Sequence, residues 1–238
     1  MSTNGGVAAA VVRVGIAVLE RAAPKGIAWV KSLFFGKTIV VIGQSRAGKT
    51  SFVDFLRHGI FEDESDTGKT LEMTKSGRFD VKLGKDKTLE MIVESVSDLP
   101  GQVGATEHAN ETYKENPHAV VLLLDLTTPL KGEPDRSSIG WLTTYCDRLE
   151  TLWRANRKRK KNKIQSFVVL LNKKDKVKDG IVKKCVFEAK KVLEKELKDA
   201  LGSITDDVSV LTCCLVNNSN GPKLVEIAVI QIAKSLGG

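Results

Sequence analysis

From Lys37 onward the apolar residues of this chain alternate between two spacings, one suited to strands and one to helices. Thr38-Ile39-Val40-Val41-Ile42 is a short apolar run, and after a Gly-rich turn the segment Ser51 to Arg57 takes helical spacing. A polar loop over Gly59 to Ser76 follows. Phe79 to Leu83 and Leu89 to Val96 then flank the turn Gly84-Lys85-Asp86-Lys87, which predicts a hairpin. Ala119 to Leu124 is apolar without a break and stops at Asp125, the pattern of a strand covered on both faces. Ile139, Leu142, Cys146, Leu149 and Leu152 recur at helical intervals, and Ile164 to Leu171 is a second buried strand. Val182, Cys185, Val186, Ala189, Leu193 and Leu197 mark another amphipathic helix, Val208 to Cys214 a strand, and Leu224 to Leu236 a closing helix. Strands alternating with helices predict an α/β fold with a mainly parallel sheet wrapped on both sides. Ligands then bind at the carboxyl ends of the strands.

The first 36 residues do not fit that alternation. Val7 to Leu19 is apolar except for Arg13, and Ile27 to Phe35 carries Trp29, Phe34 and Phe35 around Lys31, with Pro24 between the two stretches. Each is too short for a membrane span of about 20 residues, and the layout of a secretory signal is missing. Residues 1–36 are therefore read as a helical extension, for which two roles stand open. It lies in a membrane interface, as basic Trp- and Phe-bearing helices do, or it docks on the domain or a partner. Ser2 stands where N-myristoylation needs Gly, and the sequence ends Leu-Gly-Gly, so no lipid anchor is expected.

Charge sharpens this picture. The 238 residues are 42% hydrophobic and 28% charged, a composition able to fill a core, with a formal net charge of +8. The excess is local: residues 1–37 hold five cations against Glu20, and Arg154 to Lys163 holds seven Lys/Arg and no acid. The rest of the chain is slightly acidic, which argues against a basic nucleic-acid-binding body. The run 154–163 is read as a solvated loop, as a contact for an anionic membrane or nucleic acid, or as a localisation signal. Cys146, Cys185, Cys213 and Cys214 show no metal or redox spacing and read as reduced, buried thiols of a cytoplasmic protein. Of His58, His108 and His118, only His108 lies near a candidate site in sequence, and all three are given structural roles.

Candidate chemistry gathers at the strand ends. Gly43-Gln44-Ser45-Arg46-Ala47-Gly48-Lys49-Thr50 reads G-x-x-x-x-G-K-T between a strand and a helix, the context a P-loop requires. The backbone N–H groups of Gly43, Ser45, Arg46, Ala47, Gly48, Lys49, Thr50 and Ser51 would cradle phosphates at the positive end of the helix. Lys49 would reach the outer phosphates and Thr50 would ligate Mg²⁺. Asp98-Leu99-Pro100-Gly101-Gln102 follows the third predicted strand. Asp98 there can hold Mg²⁺ through water, Gly101 can sense the gamma-phosphate, and Gln102 can orient the attacking water. Asn172-Lys173-Lys174-Asp175 follows the buried strand ending at Leu171. The Asp175 carboxylate can accept from both the ring N–H and the amine of guanine, an edge adenine does not offer. Asn172 would bridge base and loop, and the Lys173 stem would cover the ring.

These three motifs, in this order over residues 43–175, resemble those of the Ras-like small GTPases, and the pattern around them is similar to the ADP-ribosylation-factor branch. Thr212-Cys213-Cys214 resembles the T-C-A element of that branch, whose backbone N–H contacts the guanine oxygen. The resemblance covers residues 37–238 and implies a G domain with six strands and five helices, bound GTP or GDP, Mg²⁺ and a nucleotide-dependent switch. It also implies a switch threonine that ligates Mg²⁺ in the GTP state. Thr74 is chosen because it precedes the strand Phe79 to Leu83, with Thr70 and Thr67 kept open. Ser45 and Arg46 depart from the small residues usual at these loop positions, where a side chain crowds the water-orienting Gln102.

The leading expectation is a GTP hydrolase that acts as a molecular switch with protein effectors and activating or exchange proteins, slow on its own. Its rival is a GTP-binding scaffold with little hydrolysis. A third reading, an ATP-dependent enzyme, requires Asp175 to face away from the base.

Overall fold

The computed structural model describes residues 37–58, 74–76, 79–83, 87–98, 104–133, 136–156, 158, 161–197, 208–215 and 221–236. The extension 1–36, and with it the question of membrane or partner contact, lies outside the described residues. So do Thr67, Thr70, Gly101 and Gln102.

The chain runs β1 (Lys37–Gly43), α1 (Lys49–His58), β2 (Thr74–Ser76), β3 (Phe79–Leu83), β4 (Lys87–Asp98), α2 (Ala105–Glu115) and β5 (Ala119–Asp125). It continues with α3 (Ser138–Asn156), β6 (Ser166–Asn172), a 3-10 turn (Lys174–Lys176), α4 (Asp179–Glu196), β7 (Val208–Thr212) and α5 (Gly221–Leu236). The sheet order is β2-β4-β1-β5-β6-β7, with β3 also on β4. β4, β1, β5, β6 and β7 are parallel, while β2 and β3 run antiparallel to β4.

Among the described residues the sheet has seven strands, not the six expected. The additional strand is Thr74-Lys75-Ser76, inside the stretch read as a polar loop. Its three residues pair with Asp98, Ser97 and Val96, and an edge strand needs only ladder hydrogen bonds, not an apolar pattern. The expected hairpin is present as β3 on β4, with Leu83 opposite Lys87.

Two cores flank the sheet, and strand alternation assigns residues to them. Ile39, Val41, Val121 and Leu123 face α1 and α5, where Phe52, Phe55, Val225 and Val229 close the layer. Val40, Ile42, Val120, Leu122 and Leu124 face α2, α3 and α4 with Trp141, Tyr145, Cys185 and Leu193. Because β5 and β6 contribute to both layers, every residue in them is buried, as their unbroken apolar runs predict. His108 is among these core residues, its ring edge-on to Trp141 at 5.3 Å, and so belongs to packing rather than to a site. The four cysteines are buried and form no disulfide with one another. Burial pushes the Cys185 thiol up to about 11 and raises Cys213 further.

This order puts the carboxyl end of β1 between those of β4 and β5, at the point where successive crossovers leave β1 in opposite directions. That crevice is where an open parallel sheet leaves strand-end backbone groups exposed for a ligand.

Candidate functional site

β1 feeds directly into the loop Gly43 to Thr50. Gly43 has φ of 141°, and a Cβ there would sit 2.0 Å from the Leu123 carbonyl oxygen of β5. Only glycine lets the loop leave the sheet this close to its neighbour. Gly48, at φ of 94°, is held as tightly: a Cβ would lie 2.6 Å from Asn172 Nδ2 and 2.9 Å from Leu215 Cδ1. Between them Arg46 takes the left-handed region at φ of 59°, and Ser45 and Arg46 are exposed at the loop tip. Ala47 N–H donates to the Gln44 carbonyl at 3.3 Å, and α1 begins with Phe52 N–H on the Gly48 carbonyl at 3.0 Å.

Lys49 is only 6% exposed. Its Nζ donates to the carbonyls of Gly43 at 3.1 Å and Gln44 at 2.9 Å, so the ammonium lies back across the loop that precedes it. A buried ammonium needs such acceptors, and an anion entering the loop offers stronger ones. Thr50 and Ser51 follow on the first turn of α1, where backbone N–H groups and the helix dipole favour negative charge.

The second half of the site comes from β6 and the segment after β7. Asn172, at the end of β6, works as a bolt. Its Nδ2 donates to the Ala47 carbonyl at 2.9 Å, while its Oδ1 accepts from the backbone N–H of Lys173 at 2.7 Å and of Leu215 at 3.0 Å. Asn172 therefore joins the loop Gly43 to Thr50, the start of the Lys174–Lys176 turn and the segment after β7. Lys173 is left-handed at φ of 63°, and its Nζ forms an ion pair with Asp125 at the end of β5. Asp175 sits exposed on the 3-10 turn, and its Oδ1 accepts from the Cys214 thiol at 3.0 Å. Cys213 N–H is committed to the Leu171 carbonyl at 2.9 Å within the β6–β7 ladder, so that amide is spent on the sheet. Of the two cysteines expected to meet the base, Cys214 is the one beside Asp175.

The residues assigned to Mg²⁺ come from three elements. Thr50 lies on the first turn of α1. Thr74 opens β2 directly opposite Asp98, the last residue of β4, and Asp98 in turn lies opposite Val41 two residues before Gly43. The backbone thus brings Thr74 and Asp98 to one register position beside the loop. Two hydroxyls and one carboxylate are hard oxygen donors, the set Mg²⁺ takes when phosphates and water fill its remaining positions.

Three contributors escaped the sequence reading. Gln44 is 4% exposed, and its Oε1 accepts from the Asp125 N–H at 3.1 Å, tying the loop to β5. Leu215 packs on Gly48 and caps Asn172. Asp125 meets Lys173 only through the register that sets it opposite Asn172. The strand-end apolar runs marked where Asp125 would fall, but not what it would touch.

Of the basic run, the described residues Lys161 to Lys163 lie at the other end of the sheet, before β6. The Asn116 side chain takes the Lys163 N–H at 3.0 Å and donates to the Lys161 carbonyl at 2.9 Å, and Lys37, which opens β1, reaches Gln165 at 2.8 Å. Among the described residues no helix is long and apolar enough to cross a membrane.

No protein-family model and no curated protein matches the chain. Among solved structures it is similar to a bacterial selenocysteine-specific elongation factor, EF-Sec, with a TM-score of 0.52 and 16% identity over 84% of this chain. It is similar also to translation elongation factor SelB from Methanococcus maripaludis, solved with the GTP analogue GPPNHP, with a TM-score of 0.50 and 12% identity over 82% of this chain. The chain spans 28% and 33% of the lengths of those proteins. At such identities the likeness is one of fold alone, an α/β fold with a mainly parallel sheet flanked by helices.

Proposed function

We propose that the chain binds guanine nucleotide with Mg²⁺ and hydrolyses GTP to GDP slowly, acting as a nucleotide-dependent switch read by protein partners. The observation that carries this reading is the continuity of the site. Asn172 bolts the phosphate loop at Ala47 to the turn that displays Asp175. A loop built for phosphates and a carboxylate suited to guanine are thus one rigid unit, whereas a chance match in a glycine turn would leave them unconnected. Lys49 would release its loop carbonyls to the outer phosphates, and Asp175 would accept the two guanine donors. Bound Mg²⁺ would neutralise phosphate charge, held by Thr50 and, through water or directly, by Asp98 and Thr74. The GTP analogue in the SelB structure supports the same reading. The finer affiliation with the ADP-ribosylation-factor branch rests on sequence motifs, while the structural neighbours are elongation factors. Identifying the nucleotide carried by the purified protein tests the proposal: GDP or GTP is expected, and adenine nucleotide sinks it.

Hydrolysis rests on Gln102. Replacing it with Leu is expected to slow single-turnover GTP hydrolysis about tenfold or more while leaving GDP affinity unchanged. Equal rates would remove Gln102 from the mechanism. The exposed Ser45 and Arg46 at the loop tip favour a second reading, a scaffold that holds GTP and hydrolyses little. Turnover in the wild type as fast as in active GTPases would end that alternative.

Peripheral membrane contact is part of the proposal. Residues 1–36 join the domain at Lys37, which sits at the same end of the sheet as Lys161 and Lys163 of the basic run. Each Lys or Arg near an anionic surface contributes about 1 kcal/mol. The 238-residue chain is expected to co-sediment with phosphatidylserine-containing vesicles, and the chain lacking residues 1–36 is expected to stay in the supernatant. Equal partition of the two would end the membrane reading of this extension.

A further inference from the structure

Asp125 is a buried carboxylate, its side chain 6% exposed, at the end of a strand whose six preceding residues are all apolar. A charge in that position must be fully partnered. One oxygen, Oδ1, accepts from the Thr127 N–H at 2.8 Å and from its hydroxyl at 2.6 Å. The other, Oδ2, takes Lys173 Nζ at 2.5 Å. The Asp125 backbone is pinned as well, its N–H by Gln44 Oε1 and its carbonyl by the hydroxyls of Thr128 and Ser138. The carboxylate is therefore a fixed post reached from three sides.

Lys173 is the less settled member of the pair. Its backbone is left-handed at φ of 63°, a conformation that side-chain-bearing residues avoid, and it stands between Asn172 and the turn that carries Asp175. Lys176 N–H returns to the Lys173 carbonyl at 3.0 Å, so the turn under Asp175 is built directly on this strained residue. With the Asn172 side chain fixing one side of Lys173 and Asp125 holding its far end, the direction in which the turn leaves β6 is determined.

We infer that Asp125 is a positioning residue for base recognition, holding Lys173 in its left-handed conformation so that Asp175 faces the guanine edge. The inference rests on the guanine-nucleotide reading above. Asp125 acts through Lys173 and does not touch the base.

The experiment is a double-mutant cycle on nucleotide affinity with the full chain, using Asp125→Asn, Lys173→Met and the pair. Each is titrated with GDP and with IDP, which lacks the exocyclic amine that Asp175 accepts from. Asp125→Asn is expected to weaken GDP binding about tenfold or more, and to weaken IDP less, so that the GDP to IDP preference shrinks. In the Lys173→Met background the same substitution is expected to change nothing further. A general loss of packing would weaken both nucleotides alike and add to the effect of Lys173→Met, and that result overturns the inference. Unchanged GDP binding by Asp125→Asn also overturns it. Should Asp125→Asn fail to fold, Lys173→Met alone removes the same ion pair from its less buried side and must show the same narrowing of preference. Wild-type protein that binds neither nucleotide defeats the guanine reading itself, an outcome distinct from wild-type binding with an indifferent Asp125→Asn.

Discussion

Gly43→Ala is expected to be the most damaging single substitution in the described part of the chain. The added Cβ would stand 2.0 Å from the Leu123 carbonyl oxygen and within 2.9 Å of the Leu123 carbon and nitrogen, and all three are backbone atoms of a central strand. No side-chain rotation relieves such a contact. The φ of 141° adds a second penalty, because side-chain-bearing residues rarely adopt it. Relief would require β1 to withdraw from β5 where Gly43 pairs with Leu123, and the Gln44 N–H would lose its 3.3 Å bond to that carbonyl. Backbone strain and overpacking together predict a loss of about 3–5 kcal/mol, read as a lower urea midpoint with unchanged slope. Gly180→Ala is the control. It lies in the first turn of α4 with nothing within 4 Å of the new Cβ, and should be neutral or stabilising by up to about 1 kcal/mol. Similar midpoints for both variants would contradict the close approach of the loop to β5.

The contrast between those two glycines shows what the sequence carries and what it withholds. The G-x-x-x-x-G-K-T spacing after an apolar run identifies Gly43 as a loop glycine because the backbone requirement is local. β5 and β6 are equally legible, since a strand buried on both faces writes its burial into every consecutive residue. The strand at Thr74–Ser76 is illegible for the opposite reason: a polar edge strand is specified by its partner β4, not by its own side chains. Asp125 falls in the same class. Its ion pair joins positions far apart in sequence and exists only because β5 and β6 pair in the register that places Asp125 opposite Asn172. Gln44, one of the unspecified positions of the motif, is defined by the same neighbouring strand. The division of labour between Cys213 and Cys214 likewise depends on which amide the β6–β7 ladder consumes. In each case the sequence located the residue at a strand end, and the pairing of strands decided its contact.

Asp175→Asn is expected to exchange one base preference for another rather than abolish binding. The carboxylate offers only acceptors, which suits guanine's ring N–H and exocyclic amine, and each charge-assisted bond of this kind contributes about 1.5–3 kcal/mol. An asparagine has one acceptor and one donor group. The Cys214 thiol, which donates to Asp175 Oδ1 at 3.0 Å, would hold the amide oxygen on its own side and turn the NH₂ toward the base. Two donors would then confront each other at the guanine amine, and GDP affinity should fall about a hundredfold or more. Xanthine carries a carbonyl where guanine carries that amine, so XDP should bind the variant better than GDP does. The phosphate loop is untouched, and Lys49 and Asn172 keep their partners, so affinity for XDP need not fall below that of the wild type for GDP by more than about tenfold. Competition titrations of GDP, XDP and ADP against a fluorescent nucleotide read all three terms. A variant that weakens GDP without gaining XDP would mean that Asp175 supports the loop instead of reading the base, and wild-type protein that prefers ADP would remove Asp175 from base recognition altogether.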